Sequence, residues 1–170
     1  MKQRSKGAAA ALLGMMLALA LLCSYIETLI PMPLLVPGIK IGLANLVVLA
    51  ALYLLGTKEA LALSLARIFL SGFLFGNMFA VVYSLAGGIL SFCVMLLLKQ
   101  VWKYNILTVS VAGGISHNLG QLLIAAVVVE NANLLYYMSI LFFSGLVTGA
   151  VIGLIGREVI LRLEGLEGRS

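Results

Sequence analysis

Gly113-Gly114-Ile115-Ser116-His117-Asn118-Leu119-Gly120-Gln121 sets the one histidine of the chain, an asparagine and a glutamine inside an otherwise apolar run. On a helix Gly113, His117 and Gln121 share a face at i, i+4 and i+8, and the glycines open a gap where the polar groups point. If the run lies in a membrane, such side chains face a bundle interior or a hydrated cavity, and they mark a site by default. The bland alternative is a helix-to-helix hydrogen bond from His117.

The surrounding chain settles the environment. Of its 170 residues 63% are hydrophobic and 10% charged, against an apolar share of about half in soluble globules. Six apolar segments fall at about 8–29, 40–56, 59–75, 77–98, 106–129 and 133–156, several near the roughly 20 residues that cross a bilayer. Continuous apolar runs exclude alternating barrel strands, and an open sheet leaves its backbone unsatisfied in lipid. The expected fold is an all-α membrane protein, one six-transmembrane-helix bundle over residues 1–170. The second and third segments are short, so they tilt or span incompletely.

Charge sets the orientation. With the N-terminus cytoplasmic, Lys2, Arg4, Lys6, Lys58, Lys99, Lys103, Arg157, Arg162 and Arg169 lie inside, Lys40 alone lies outside and Arg67 is within a span. Both termini are therefore predicted to be cytoplasmic. The net charge of +5 is a topology signal on this reading, and no nucleic-acid module is present. The basic start followed by Ala8 to Leu22 imitates a secretory leader, but its apolar run is long and Leu21-Leu22 before Cys23 lacks the small residues of a processing site, so it is read as a retained span. Cys23 and Cys93 lack metal or redox spacing and are read as packing or lipid-facing residues.

The first outward connection runs from Glu27 to Lys40 and holds all three prolines, Pro31, Pro33 and Pro37. It cannot form a regular helix, yet it is apolar. It reads either as a lid over the bundle mouth, with Glu27 and Lys40 at the rim, or as a plain interfacial connector. Two stripes of small residues recur at four-residue spacing: Ala10, Gly14 and Ala18 in the first helix, and Gly145, Gly149 and Gly153 in the sixth. Each lets another backbone approach closely, within the chain or from a partner.

The costly polar residues are Asn45, Arg67, Asn77, His117, Asn118 and Gln121, and these are the candidate substrate-binding set. Arg67 stays charged, so it needs a carboxylate, carbonyls, water or an anionic ligand unless it snorkels or closes a structural knot. The tyrosines Tyr25, Tyr53, Tyr83, Tyr136 and Tyr137 either stack on a ligand or anchor the interface.

Absences narrow the chemistry. The chain has no aspartate, so it cannot build the paired-Asp magnesium sites that ionise prenyl diphosphates. It has no phosphate-binding loop for ATP, no zinc ligand set and no Ser-His-acid combination. We expect no catalytic residue, no metal and no cofactor; the chain is not an enzyme by itself.

The run Lys40-Ile-Gly-Leu-Ala-Asn45, Ala66-Arg67 followed by Gly72 and Gly76-Asn77, Ser84-Leu-Ala-Gly-Gly88 and His117-Asn118-Leu-Gly-Gln121 together resemble a bacterial membrane family. That family carries two labels, Gx transporter and heptaprenyl diphosphate synthase component I. The likeness runs from about Tyr25 to Arg157. The family in turn resembles the substrate-binding S components of energy-coupling factor (ECF) transporters, six-helix proteins that work with a coupling subunit and two ATPases. The resemblance implies a multi-pass protein of the bacterial cell membrane, a lid at 30–40, and a pocket near Asn45, Arg67, Asn77, His117 and Gln121. It also implies a docking surface at Ala10, Gly14 and Ala18, although Gly14 departs from the usual alanine pattern. Two functions follow: an S-component-like binder taking up a small molecule, or a non-catalytic accessory of a polyprenyl diphosphate synthase or of quinone- and flavin-linked electron export. A third reading, a scaffold, makes every polar substitution silent except in folding yield.

Overall fold

A computed structural model of the chain describes residues 6–29 and 42–167, with side chains over 7–29 and 42–165. Six α-helices run in order: α1 Lys6–Leu29, α2 Leu43–Leu54, α3 Thr57–Phe75, α4 Met78–Gln100, α5 Ile106–Val128 and α6 Met138–Glu167, with a 3-10 helix at Ala132–Tyr137 before the last. α1, α4, α5 and the unit formed by the 3-10 helix with α6 are each long and apolar enough to cross a bilayer. The protein is an all-helical membrane protein. Helices are the expected outcome, because each closes its backbone hydrogen bonds within one segment.

Punctuation in the sequence sets the helix ends. Gly56, at φ 120°, breaks α2 from α3. The side chains of Asn77 and Asn105 cap α4 and α5, accepting from Ala80 N and Thr108 N at 2.9 and 2.8 Å. Two boundaries differ from the sequence reading. The second segment is helical only over Leu43–Leu54. At about 1.5 Å per residue that is roughly 18 Å, well short of an approximately 30 Å hydrocarbon layer. The sixth begins as the 3-10 helix and then runs on to Glu167, well past 156. Its extension is polar enough to be solvated, with an exposed Arg162 to Glu158 pair at 2.7 Å one turn apart, a type that contributes little stability.

Five helices close a ring: α2 packs on α3 and α6, α3 on α4, and α5 between α4 and α6, while α1 leans on α2 and α3. α2 is apolar apart from Asn45 and Tyr53, and Val47 to Leu52 are all buried, as expected for a helix surrounded by others. Leu49, Leu52, Leu63 and Ile68 give α2 and α3 a solid inner half.

The α4–α5–α6 side is held by glycine. A Cβ on Gly114 of α5 would stand 2.5 Å from the carbonyl oxygen of Gly145, and one on Gly120 would stand 2.9 Å from Gly87 Cα. Only a residue without a side chain permits that approach, and in lipid such close packing replaces the hydrophobic drive available in water. The Gly145, Gly149 and Gly153 stripe thus faces α5. The α1 stripe does the opposite. Ala10, Gly14 and Ala18 are exposed, and nothing lies within 4 Å of a Cβ placed on Gly14.

Candidate functional site

The ring encloses a cavity of about 40 Å³ to which all six helices contribute. Allowing roughly 10–15 Å³ for each water, it holds about three waters. Polar side chains line it from several directions: Glu27 from α1, Asn45 from α2, Arg67 from α3, Ser84 and Ser91 from α4, Ser110, His117 and Asn118 from α5, and Thr148 from α6.

Several of these groups are committed to neighbouring helices. Ser91 Oγ donates to the Gly113 carbonyl at 2.8 Å, Ser110 Oγ to that of Gly149 at 2.7 Å, and Asn118 Nδ2 to that of Leu141 at 2.9 Å. These bonds stitch α4, α5 and α6 together and keep buried donors satisfied, as buried polar groups require. Asn118 is therefore a tie between α5 and α6 as well as a wall residue. Thr148 turns its hydroxyl back on the Ser144 carbonyl of its own helix at 2.9 Å.

Arg67 is different. It is 8% exposed, and among the described residues its one hydrogen bond runs from Nη2 to Asn45 Oδ1 at a long 3.4 Å. Its Nε has no partner, and among the described residues it makes no ion pair. A guanidinium carries five donors in a fixed fork, so most of this fork is unspent. Glu27, the carboxylate that reaches the cavity, is engaged elsewhere: its Oε1 accepts from Leu43 N at 2.6 Å. That bond joins the end of α1 to the first turn of α2, where the N-cap residue Gly42, at φ 81°, offers no side-chain cap of its own.

His117 lies at the wall opposite, half-buried, where α4 comes close. A Cβ on Gly87 would meet the His117 carbonyl at 2.7 Å and Gln121 Cγ at 2.8 Å. Gln121 packs in this α4–α5 seam and is not part of the cavity lining. Asn77 also lies away from it, exposed at the start of α4 as the helix cap. The cavity thus brings together Asn45, Arg67, His117 and Asn118, with Glu27 at its edge. Pro31, Pro33, Pro37 and Lys40, the expected lid and rim, fall outside the described residues. Tyrosines do not line the cavity; Tyr25 instead pairs with Phe75 at 5.0 Å between ring centres. Among the described residues no three His, Cys or acidic side chains gather to hold a metal.

Ser84, Ser91, Ser110 and Thr148 were not among the candidate binding residues read from the sequence, although a signal was there. Ser84, Gly88, Ser91 and Met95 in α4, like Ser110, Gly113, Gly114 and His117 in α5, recur at helical spacing on one face.

The family model for heptaprenyl diphosphate synthase component I matches residues 16–159. The chain belongs to that family. No curated protein and no solved structure matches it. The match covers every helix that lines the cavity, from the middle of α1 to the middle of α6. The component I name makes the family a component of a synthase, while this member lacks the aspartates that a magnesium-dependent prenyl transfer would need.

Proposed function

We propose that this component I chain is a non-catalytic membrane accessory in polyprenyl diphosphate synthesis, and that its intramembrane cavity holds a small polar ligand. The observation that carries the ligand reading is Arg67, a buried guanidinium with donors to spare, facing a void shared with Asn45 and His117. A charge placed so deep in a membrane protein is costly, and function is the usual reason for one. The family name supplies the synthase link. Since the chain has no aspartate, that link runs through a partner enzyme or through binding of a lipid or its precursor.

Deleting the chain tests the accessory role. Polyprenyl diphosphate output, or the long-chain quinones made from it, falls in the deletion strain and returns with the wild-type chain. Unchanged output would remove the synthase link.

A second reading is favoured by the cavity itself: an S-component-like binder that takes up a small molecule from outside, with energy from an ECF coupling subunit and ATPases. It reads the six helices as one bundle with both termini cytoplasmic and α2 crossing incompletely, and it gives the exposed Ala10, Gly14 and Ala18 face of α1 a docking role. Its distinguishing result is co-purification with a coupling module and loss of solute uptake on deletion, with prenyl product unchanged. A redox accessory in quinone- and flavin-linked export would instead lose electron flux.

A further inference from the structure

The geometry points to an anionic head group, a carboxylate or a phosphate, as the ligand part that the cavity recognises, held between the Arg67 guanidinium and the first turn of α2. This inference rests on the reading of the cavity as a ligand site and names the chemistry of that ligand.

Two independent observations converge. The first is the unfilled fork of Arg67: 8% exposed, lining the cavity, with Nε unpartnered and, among the described residues, only the 3.4 Å bond to Asn45. A planar fork of this kind suits carboxylate and phosphate oxygens, which it can take two at a time. The second is the N-terminal end of α2, a helix of 12 residues, which opens on the same space through Gly42, Ala44 and Asn45. The helix dipole makes such an end attractive to negative charge; with Leu43 N taken by Glu27 and Asn45 N bonded to the Gly42 carbonyl at 2.8 Å, the Ala44 amide is the one left open among the described residues. A carboxylate already sits there, since Glu27 Oε1 takes the Leu43 amide at 2.6 Å. Glu27 shows that the position accepts an anion, and it also competes for it.

Size narrows the class. A cavity of about 40 Å³ accommodates a head group of a few heavy atoms. The remainder of a larger ligand, such as an acyl or prenyl chain, must lie beyond it. Among the described residues the charged groups lining this space are Arg67 and Glu27, with His117 also in the wall, so a bound anion is balanced by Arg67 once Glu27 yields its place.

The test uses the full chain purified in dodecyl maltoside without phosphate, with thermal unfolding followed against four titrants. These are inorganic phosphate, acetate, the neutral acetate analogue acetamide, and dihexanoyl phosphatidic acid below its micelle concentration. The expected result is saturable stabilisation by at least one anion and none by acetamide. The half-saturating concentration rises at least tenfold in Arg67→Gln, rises less in Arg67→Lys, and falls in Glu27→Gln. Stabilisation by the lipid alone assigns the head group to a lipid, and stabilisation by inorganic phosphate assigns it to a free anion; both support the inference. Equal effects of acetamide and acetate would overturn it while leaving a polar-ligand cavity in place. No effect of any titrant on the wild type would overturn both. If Arg67→Gln does not fold, Glu27→Gln decides, and unchanged or weaker anion affinity in that variant counts against the inference.

Discussion

The Ser110 hydroxyl donates a 2.7 Å hydrogen bond to the carbonyl of Gly149, at a crossing so close that a Cβ on Gly149 would stand 2.8 Å from Val111 Cα. The bond and the missing side chain depend on each other: the serine reaches across because nothing projects from residue 149. Gly149→Ala therefore costs about 1–3 kcal/mol by overpacking, and Ser110→Ala about 0.5–1.5 kcal/mol. The double variant loses less than the sum, because both changes break one contact. Gly14→Ala, with open space around it, leaves stability unchanged or raises it by up to about 1 kcal/mol. Thermal unfolding of the four variants in one detergent distinguishes these outcomes.

Asn77 and Arg67 were grouped by sequence but part company in the structure, one capping α4 and the other lining the cavity. Asn77→Ala removes the cap on α4 and lowers stability by about 1 kcal/mol, with ligand binding intact. Arg67→Gln weakens anion binding at least tenfold while the helical content stays at the wild-type level. A circular dichroism spectrum and a binding measurement on each variant check the split, and binding lost in Asn77→Ala would count against it.

The bond from Glu27 to the Leu43 amide makes α1 responsible for the start of α2. In Glu27→Ala the amide hydrogens at the head of α2 exchange with solvent roughly tenfold faster, the loss expected for a hydrogen bond to a charged acceptor. Glu27→Gln keeps an acceptor oxygen and exchanges at an intermediate rate. Equal rates in all three proteins would show that the contact does not hold the helix end.

At the other end of α2, Lys99 of α4 donates to the carbonyl of Leu52 and sits 4.4 Å above the ring centre of Tyr53. That carbonyl belongs to the last turn, which has no intrahelical partner for it. Lys99→Met loses both contacts and destabilises by about 1–2 kcal/mol. Tyr53→Leu loses only the second and has the smaller effect. The order of the two melting temperatures is the measurement.

Much of the fold was legible because lipid leaves a chain few options. Runs such as Met78–Gln100 and Ile106–Val128 must be helices, and Asn77 and Asn105 stop them visibly. The extent of α2 was less legible: the helix starts after Gly42 and stops at Leu54, just before Gly56, so both glycines lie outside a run that hydropathy alone carries through. The sixth helix was cut short at Arg157, where charge suggested an exit from lipid. A helix needs no lipid to continue, and turn-spaced pairs such as Glu158 with Arg162 suit it in water. In the site, His117 and Arg67 stood out because polar atoms are rare here. Asn77 stood out for the same reason, yet composition cannot separate a helix cap from a wall residue. The serines were overlooked because a hydroxyl that bonds to a helix carbonyl costs little in lipid and leaves a weak mark on hydropathy.

The absence of side chains along the α4–α5 and α5–α6 crossings has a mechanical consequence. Backbones already in contact have no slack, so those three helices behave as a spine. Any enlargement of the interior must swing the opposite leaf, α1 to α3, about the α2–α6 and α3–α4 joints, and that leaf carries Arg67, Asn45 and Glu27 with it.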